Sequence, residues 1–236
     1  MGETHTAVAL VSAVGLKKEC PEQDEAWGMS ETEYSAWEIL RDAIQLPRDP
    51  VTGRYRQDDT FHLLERVDPA ELKSGDEASY HQVCFDRLQR YQVIKQADTL
   101  LLMTRLPEQF TEEEKLAAWE DFEPLCIHDS TLSFASHALF AAQNGLAEAA
   151  DAYWRKALYL DLEEVMGNTG KEGLHLACLG EVWQTVVFGF AGLHIADGVP
   201  QLAPPLPHGC KALSFKFFYP GQKYEAKISE FLWSVL

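Results

Sequence analysis

Between residues 123 and 133 the chain reads Glu123-Pro124-Leu125-Cys126-Ile127-His128-Asp129-Ser130-Thr131-Leu132-Ser133. This places a carboxylate, an imidazole and three hydroxyls at a predicted helix start. Such a start leaves backbone N–H groups unpaired and carries the positive end of the macrodipole. Ser130, Thr131 or Ser133 beside His128 can therefore receive a phosphate with no lysine cluster. Asp and Ser are also ordinary caps, and Asp129 or Ser130 capping a helix from Thr131 to Asn144 accounts for the same residues. The segment alone supports either reading.

Two further segments carry polar groups in otherwise apolar surroundings. Arg90 to Asp98 holds Lys95 and Gln96 side by side, a cation and an amide able to donate hydrogen bonds to sugar hydroxyls. On a predicted helix Gln92, Lys95 and Gln96 share one face at i, i+3 and i+4, and that face serves equally as a solvated surface. Gly173 to Cys178 puts His175 in an apolar helix start, where a core histidine bonded to a carbonyl is the alternative. The aromatic run after it includes Trp183, Phe188 and Phe190, and the last two read as core. Asp58-Asp59 pairs two carboxylates that suit a metal or a sugar hydroxyl, although turn formation is the commoner use. No G-x-S-x-G, P-loop, H-E-x-x-H or dinucleotide fingerprint is present, which removes support for serine hydrolysis, nucleotide and zinc-protease chemistry.

Helices must position these groups. Ser30-Glu31-Thr32-Glu33 is a capping box opening a helix through Ile44, which stops at Pro47 before the Arg48–Gly53 loop. Residues 65–79 read as irregular. Helices are predicted over Tyr80 to Leu106, from Thr111 to before Pro124, over Thr131 to Asn144, over Leu146 to Leu158, and from Gly173 to about Phe190. The pattern changes at Asp197-Gly198. After four prolines, Leu213 to Phe217 and Lys223 to Ile228 alternate as strands around a Tyr219–Gln222 turn.

Composition sets outer bounds. The 236 residues are 46% hydrophobic, ample for a core, and carry a formal net charge of −17. That charge repels phosphodiester backbones and anionic lipid, so neither nucleic acid nor membrane is an expected partner, and any anion site must be local. No apolar run approaches the roughly 20 residues that span a bilayer. The apolar stretch Ala7 to Leu16 follows acidic Glu3 where a signal peptide carries positive charge, so a cytoplasmic location is expected. The five cysteines, Cys20, Cys84, Cys126, Cys178 and Cys210, form no C-x-x-C pair. Neither a disulfide framework nor a zinc site is expected, and the cysteines read as reduced thiols in or near the core.

Lys95-Gln96-Ala97-Asp98, Glu123-Pro124-Leu125 with His128 to Ser133, and Gly173-Leu174-His175 with Trp183 and Gly189-Phe190-Ala191-Gly192 together resemble, in order and spacing, the C-terminal half of a family 65 glycoside hydrolase. That group contains maltose, trehalose, kojibiose and nigerose phosphorylases. The likeness runs from about Trp37 to Tyr224, with Thr131 standing where the family has a second serine. It implies a mainly α fold: part of an (α/α)6 catalytic barrel over 1–197, then a small C-terminal β-strand domain over 198–236.

The implied chemistry is inverting phosphorolysis of an α-glucosidic disaccharide, giving β-glucose 1-phosphate and a released sugar. Inorganic phosphate is the co-substrate and no cofactor is expected. By resemblance Lys95 and Gln96 contact the glucosyl unit, Glu123 is a further sugar-binding candidate, and His128, Ser130, Thr131 and His175 border the phosphate. Family members place a β-sandwich, a helical linker and the first half of the barrel ahead of this region. Their general acid lies upstream of the first residues here, and Glu3 to Val8 resembles a remnant of the helix that follows it. No catalytic residue is therefore assigned in this chain. A truncated or split enzyme, inactive alone, is expected, because acid catalysis contributes about 10²–10⁴-fold. A second copy or a complementing N-terminal chain is the expected partner. The alternatives are a non-catalytic carbohydrate-binding or interaction module, and a hydrolase fragment of the same family in which Asp129 leaves room for a base.

Overall fold

The computed structural model describes residues 26–72, 83–166, 169–229 and 232–235. Glu3 to Val8, Ala7 to Leu16 and Cys20 lie outside the described residues. What is described is largely helical, with two small antiparallel sheets near the C-terminus.

The helices form where local chemistry asks for them. Helix α1, Glu31–Ala43, opens on the expected capping box: Ser30 Oγ accepts from Glu33 N at 3.3 Å and Glu33 Oε2 accepts from Ser30 N at 2.9 Å. Short turns follow at α2, Pro69–Leu72, and α3, Phe85–Leu88. Helix α4 is Asp98–Arg105, and α5, Glu112–Phe122, repeats the capping box with Thr111 and Glu114. Two antiparallel helices come next, α6, Ser133–Gln143, and α7, Ala147–Leu158, joined through Gly145 at φ +73°. After α8, Thr169–Glu172, helix α9, Leu176–Gln184, widens into a π-helical turn over Thr185–Phe190.

Helix α6 is the centre of the packing. Every residue from Ser133 to Ala142 is buried, and the helix touches α4, α7, α9 and the π-helical turn. Its alanines and serines let those neighbours approach closely. One side meets Leu100, Met103 and Phe122 through Phe140, another meets Ala157, Leu160 and Val182 through Phe134 and Ala135, and Ala141 and Ala142 meet Phe190. A helix buried all round is what such a central position requires.

One expected helix is broken in its middle. Instead of running from Tyr80 to Leu106, the chain leaves α3 at Leu88 and stays non-helical through Ala97; residues 73–82 lie outside the described residues. Its backbone pairs with distant partners instead, Tyr91 with Glu65 and Ile94 with Cys126. Gln92 is drawn away as well, its Nε2 donating to Leu64 O at 2.8 Å. Gln92, Lys95 and Gln96 therefore share no helical face.

The loop after α1 is fixed to α5 by ion pairs, Arg48 to Glu114 at 2.7 Å and Arg54 to Glu120 and Asp121 at 2.9 and 2.6 Å. Exposed pairs of this kind contribute little energy, but several together set the loop's direction.

At Asp197-Gly198 the chain makes a tight hairpin. Strands β1, His194–Ala196, and β2, Val199–Gln201, flank the two residues at φ +52° and +73°, the double left-handed turn that an Asp-Gly pair favours. The expected β tail follows as β3, Ala212–Tyr219, and β4, Gln222–Ser229, with a third strand β5, Leu232–Val235, giving the order β3-β4-β5. Phe190 is buried as expected. Phe188 is 38% exposed and departs from its core reading.

Glu181 on α9 is buried against α6, taking a hydrogen bond from Ser136 Oγ at 2.9 Å, with Arg105 Nη2 at 3.5 Å. Burial raises its carboxyl above the usual range despite the Ser136 and Arg105 contacts, which act the other way. The native state thus holds the Glu181 proton more tightly than the unfolded chain does. The favourable contribution is complete below the ordinary value of 4.5 and declines as pH rises through the higher native value. Glu181→Gln is expected to raise the urea midpoint at pH about 8 relative to wild type and to change it little near pH 4.5. A gain independent of pH would exclude this cause.

Candidate active site

Lys95 and Gln96 are brought to the His128 segment by main-chain bonds. Ile94 N donates to Leu125 O at 2.9 Å and Ile127 N donates to Ile94 O at 2.9 Å, a short parallel bridge. Lys95 is exposed just past it, and half-buried Gln96 turns its Nε2 to Asp98 Oδ1 at 3.1 Å.

A cavity of about 390 Å³ opens here, lined by Lys95, Gln96, Asp98 and Asp129 and, opposite in sequence, by Asp58 and Phe61. Its size falls in the range of small-molecule sites, and its mix of an amine, an amide, carboxylates and an aromatic ring suits a polyhydroxylated ligand. Asp58 is largely committed to its own turn. Its Oδ1 accepts from Thr60 N, Thr60 Oγ1 and Phe61 N at 2.7, 2.8 and 2.7 Å. Burial works against its charge, but these donors outweigh it and hold the carboxyl below the usual range. The turn-forming use of Asp58 is thus realised, and it shapes the cavity wall.

On the other side of the bridge lies a polar network that only partly coincides with the expected phosphate site. His128 sits at φ +51°, a left-handed backbone that turns the chain into α6. Its Nδ1 is 2.9 Å from Ser133 Oγ and its Nε2 is 3.3 Å from the Tyr153 hydroxyl, which in turn donates to Glu123 Oε1 at 2.5 Å. Ser133 Oγ also stands 3.4 Å from Cys126 Sγ and 3.4 Å from His137 Nδ1. Burial pushes the Cys126 thiol up to about 11, lowers the affinity of His137 for a proton, and raises the Tyr153 hydroxyl above its ordinary range.

Ser130 and Thr131 are half-buried in the turn ahead of α6. The helix begins at Ser133, two residues later than expected, and its N-cap position, Leu132, has no side-chain cap bond. Ser130 Oγ accepts from Leu132 N at 3.3 Å, which is turn stabilisation in place of the anticipated cap. His175 makes a different pairing. Its Nδ1 is 2.6 Å from Asp161 Oδ1 and its backbone N donates to Asp161 Oδ2 at 2.8 Å. Burial opposes the Asp161 charge, yet His175 and Thr169 hold it below the usual carboxylate range. A carboxylate, not a carbonyl, orients this histidine.

Cys126, His137 and Tyr153 were not assigned from sequence, and Ser133 entered only as one of three hydroxyls beside His128. The available local signal was Ser133-x-x-x-His137, which stacks both side chains on one helix face. Tyr153 comes from the next helix and carries no such signal. Of the thiols, Cys126 and Cys178 are buried as anticipated, whereas Cys84 is exposed and Cys210 half-buried. No helix among the described residues is long and apolar enough to cross a membrane.

Residues 3–184 match the glycosyl hydrolase family 65 central catalytic domain. The chain belongs to that family. It is 30% identical to the alpha,alpha-trehalose phosphorylase of Thermoanaerobacter brockii over 219 residues, covering 91% of this chain and 28% of that protein. It is 32% identical to the kojibiose phosphorylase of Halothermothrix orenii over 200 residues, covering 85% and 26%. Among solved structures, a candidate kojibiose phosphorylase from the human microbiome superposes with a TM-score of 0.74 at 27% identity, covering 87% of this chain and 27% of that one. The chain thus spans about a quarter of the length of the curated relatives it matches.

Proposed function

We propose that this chain carries sugar- and phosphate-binding parts of an inverting disaccharide phosphorylase acting on an α-glucosidic disaccharide to give β-glucose 1-phosphate. In this reading residues 1–197 are part of an (α/α)6 catalytic barrel and 198–236 a small β-strand domain. Lys95 and Gln96 bind the glucosyl unit and Glu123 supports it. His128, Ser130, Thr131 and His175 border the phosphate, a co-substrate that replaces an activated water as the nucleophile, and no cofactor is required. No general acid is assigned among the 236 residues. The observation that carries the reading is the Ile94–Cys126 bridge, which joins the Lys95-Gln96 pair to the turn bearing His128 beside a cavity of sugar size. The relatives named as trehalose and kojibiose phosphorylases support the same chemistry.

The test is ligand binding by nuclear magnetic resonance, with saturation transfer to glucose, maltose, trehalose, kojibiose and nigerose, and phosphorus line broadening for phosphate. Lys95→Ala and Gln96→Ala are each expected to weaken sugar binding about tenfold, the scale of one hydrogen bond made by a charged or well-placed donor. Ser130→Ala combined with Thr131→Ala is expected to weaken phosphate binding while sparing sugar. Unchanged sugar affinity in both single variants would sink the assignment.

A second reading, an interaction module, is favoured by the exposed apolar side chains Leu174, Leu176, Leu179 and Trp183 around α9. Together they suit burial against another polypeptide. Under this reading the purified chain elutes as a dimer or larger species, and a monomer with full sugar affinity discards it.

A further inference from the structure

We infer that Cys126, His128 and His137 form a binding site for a borderline-soft dication of the zinc class. A sulfur or ring nitrogen from each of the three lies within 4.8 Å of those from the other two, and no ligand set of this kind was expected from the cysteine spacing.

The donor chemistry selects the ion. One thiol and two imidazoles suit zinc or cobalt, whereas calcium and magnesium require oxygen cages. The spacing is compatible. Zinc–sulfur and zinc–nitrogen bonds of about 2.3 and 2.0 Å at a tetrahedral angle place the two ligand atoms about 3.5 Å apart. Cys126 Sγ and His128 Nδ1 are 3.6 Å apart before any ion is bound.

The surroundings supply what such ligands need. His137 is fully buried, and its Nδ1 lies 2.7 Å from Ser133 O as a donor, which leaves the lone pair on Nε2. That Nε2 has no hydrogen-bond partner among the described residues. An imidazole that gives one N–H to a carbonyl and keeps its other nitrogen unprotonated is the usual arrangement of a metal-bound histidine. His128 is oriented in the same way from its far side, where Tyr153 links its Nε2 to the Glu123 carboxylate. The Ser133 hydroxyl or a water completes the coordination. Binding exchanges one dication for the Cys126 thiol proton, with no change of oxidation state. The resulting single positive charge is offset by Glu123 behind Tyr153.

The experiment uses cobalt(II) as the probe on the purified chain. Tetrahedral cobalt bound through a thiolate absorbs in the visible and adds a sulfur-to-metal charge-transfer band in the near-ultraviolet. One equivalent is expected to saturate both bands, and zinc is expected to abolish them by displacement. Cys126→Ser is expected to weaken cobalt affinity at least about a hundredfold, since even loss of an outer partner costs 10–100-fold. Replacing Cys20, Cys84 and Cys210 together by serine is expected to leave the bands intact. His137→Gln gives an independent variant should Cys126→Ser fold poorly. X-ray absorption on the zinc-loaded wild type, which needs no variant, is expected to show one sulfur and two imidazole nitrogens. An oxygen-only shell, the absence of any cobalt band, or bands that follow Cys20, Cys84 and Cys210 instead of Cys126 would overturn the site.

Discussion

Replacing Phe140 by alanine is expected to lower unfolding free energy by about 3–5 kcal/mol, as large aromatic deletions in closed cores do. Phe140 has no exposed surface and lies on α6 in the same cluster as Leu100 and Met103. Its ring stacks on Trp119 at 5.6 Å between centroids and 7° between planes. The neighbours that would have to collapse into the space belong to two other helices, α4 and α5, so relaxation is limited. Because domains of ordinary stability hold only about 5–15 kcal/mol, Phe140→Ala should leave a marginal protein. Trp119 also touches His137 and Tyr153 edge-on. The loss should therefore reach the polar network and broaden the His128 and His137 ring signals. Urea unfolding measures the first effect, and Phe140→Leu, which keeps most of the volume, should recover most of it. A loss below about 1 kcal/mol for the alanine variant would mean that the core closes over the space, contrary to this packing.

Gly192→Ala is the second large effect, and its origin is backbone, not volume. Gly192 follows the π-helical turn at φ +59°, and an added Cβ would lie 2.2 Å from Ala203 O and 2.6 Å from Ala203 C. The left-handed backbone alone costs an alanine about 1–2 kcal/mol. The collision is with main chain, which cannot rotate aside as a long side chain would. The segment after β2 must therefore move away, breaking the hydrogen bond from Ala203 N to Gly192 O, now 3.2 Å. Gly221 provides the control, since it sits at φ +77° with nothing within 4 Å of a built Cβ. Gly221→Ala should cost only the conformational part. A thermal shift for Gly192→Ala no larger than that for Gly221→Ala would show that the close approach to Ala203 carries no energy.

Features set by near neighbours along the chain are legible in its residues alone. Ser30 with Glu33 and Thr111 with Glu114 announce two helix starts because a capping box needs only residues three apart. Leu213–Phe217 and Lys223–Ile228 announce a hairpin because alternation and a Pro-Gly turn are equally local. The stretch 89–97 misleads for the opposite reason. Its helical spacing is overruled by pairing of Tyr91 with Glu65 and Ile94 with Cys126, partners 26 and 32 positions away that no short window contains. The site follows the same division. Lys95, Gln96 and His128 stand out by type and order, and the family match agrees with the resemblance those residues carry. Tyr153 and Cys126 do not stand out, because what matters about them is proximity to Glu123 and Ser133 created by folding. At Asp197-Gly198 the composition change is visible, but the two-residue turn between β1 and β2 depends on a pairing of strands only three residues long, too short to show an alternation.

The link between Ile94 and residues 125 and 127 is made entirely by amide and carbonyl groups. Those atoms are the same for every residue except proline, which would remove the donor at 94 or 127. Sequence drift at residues 94, 125 and 127 is therefore constrained by the volume of the core around them and not by the link itself. Relatives about one-third identical can retain the same spacing between an amine on one segment and an imidazole on the other while sharing few of the residues in between. The distance is held by the part of the chain that mutation does not reach.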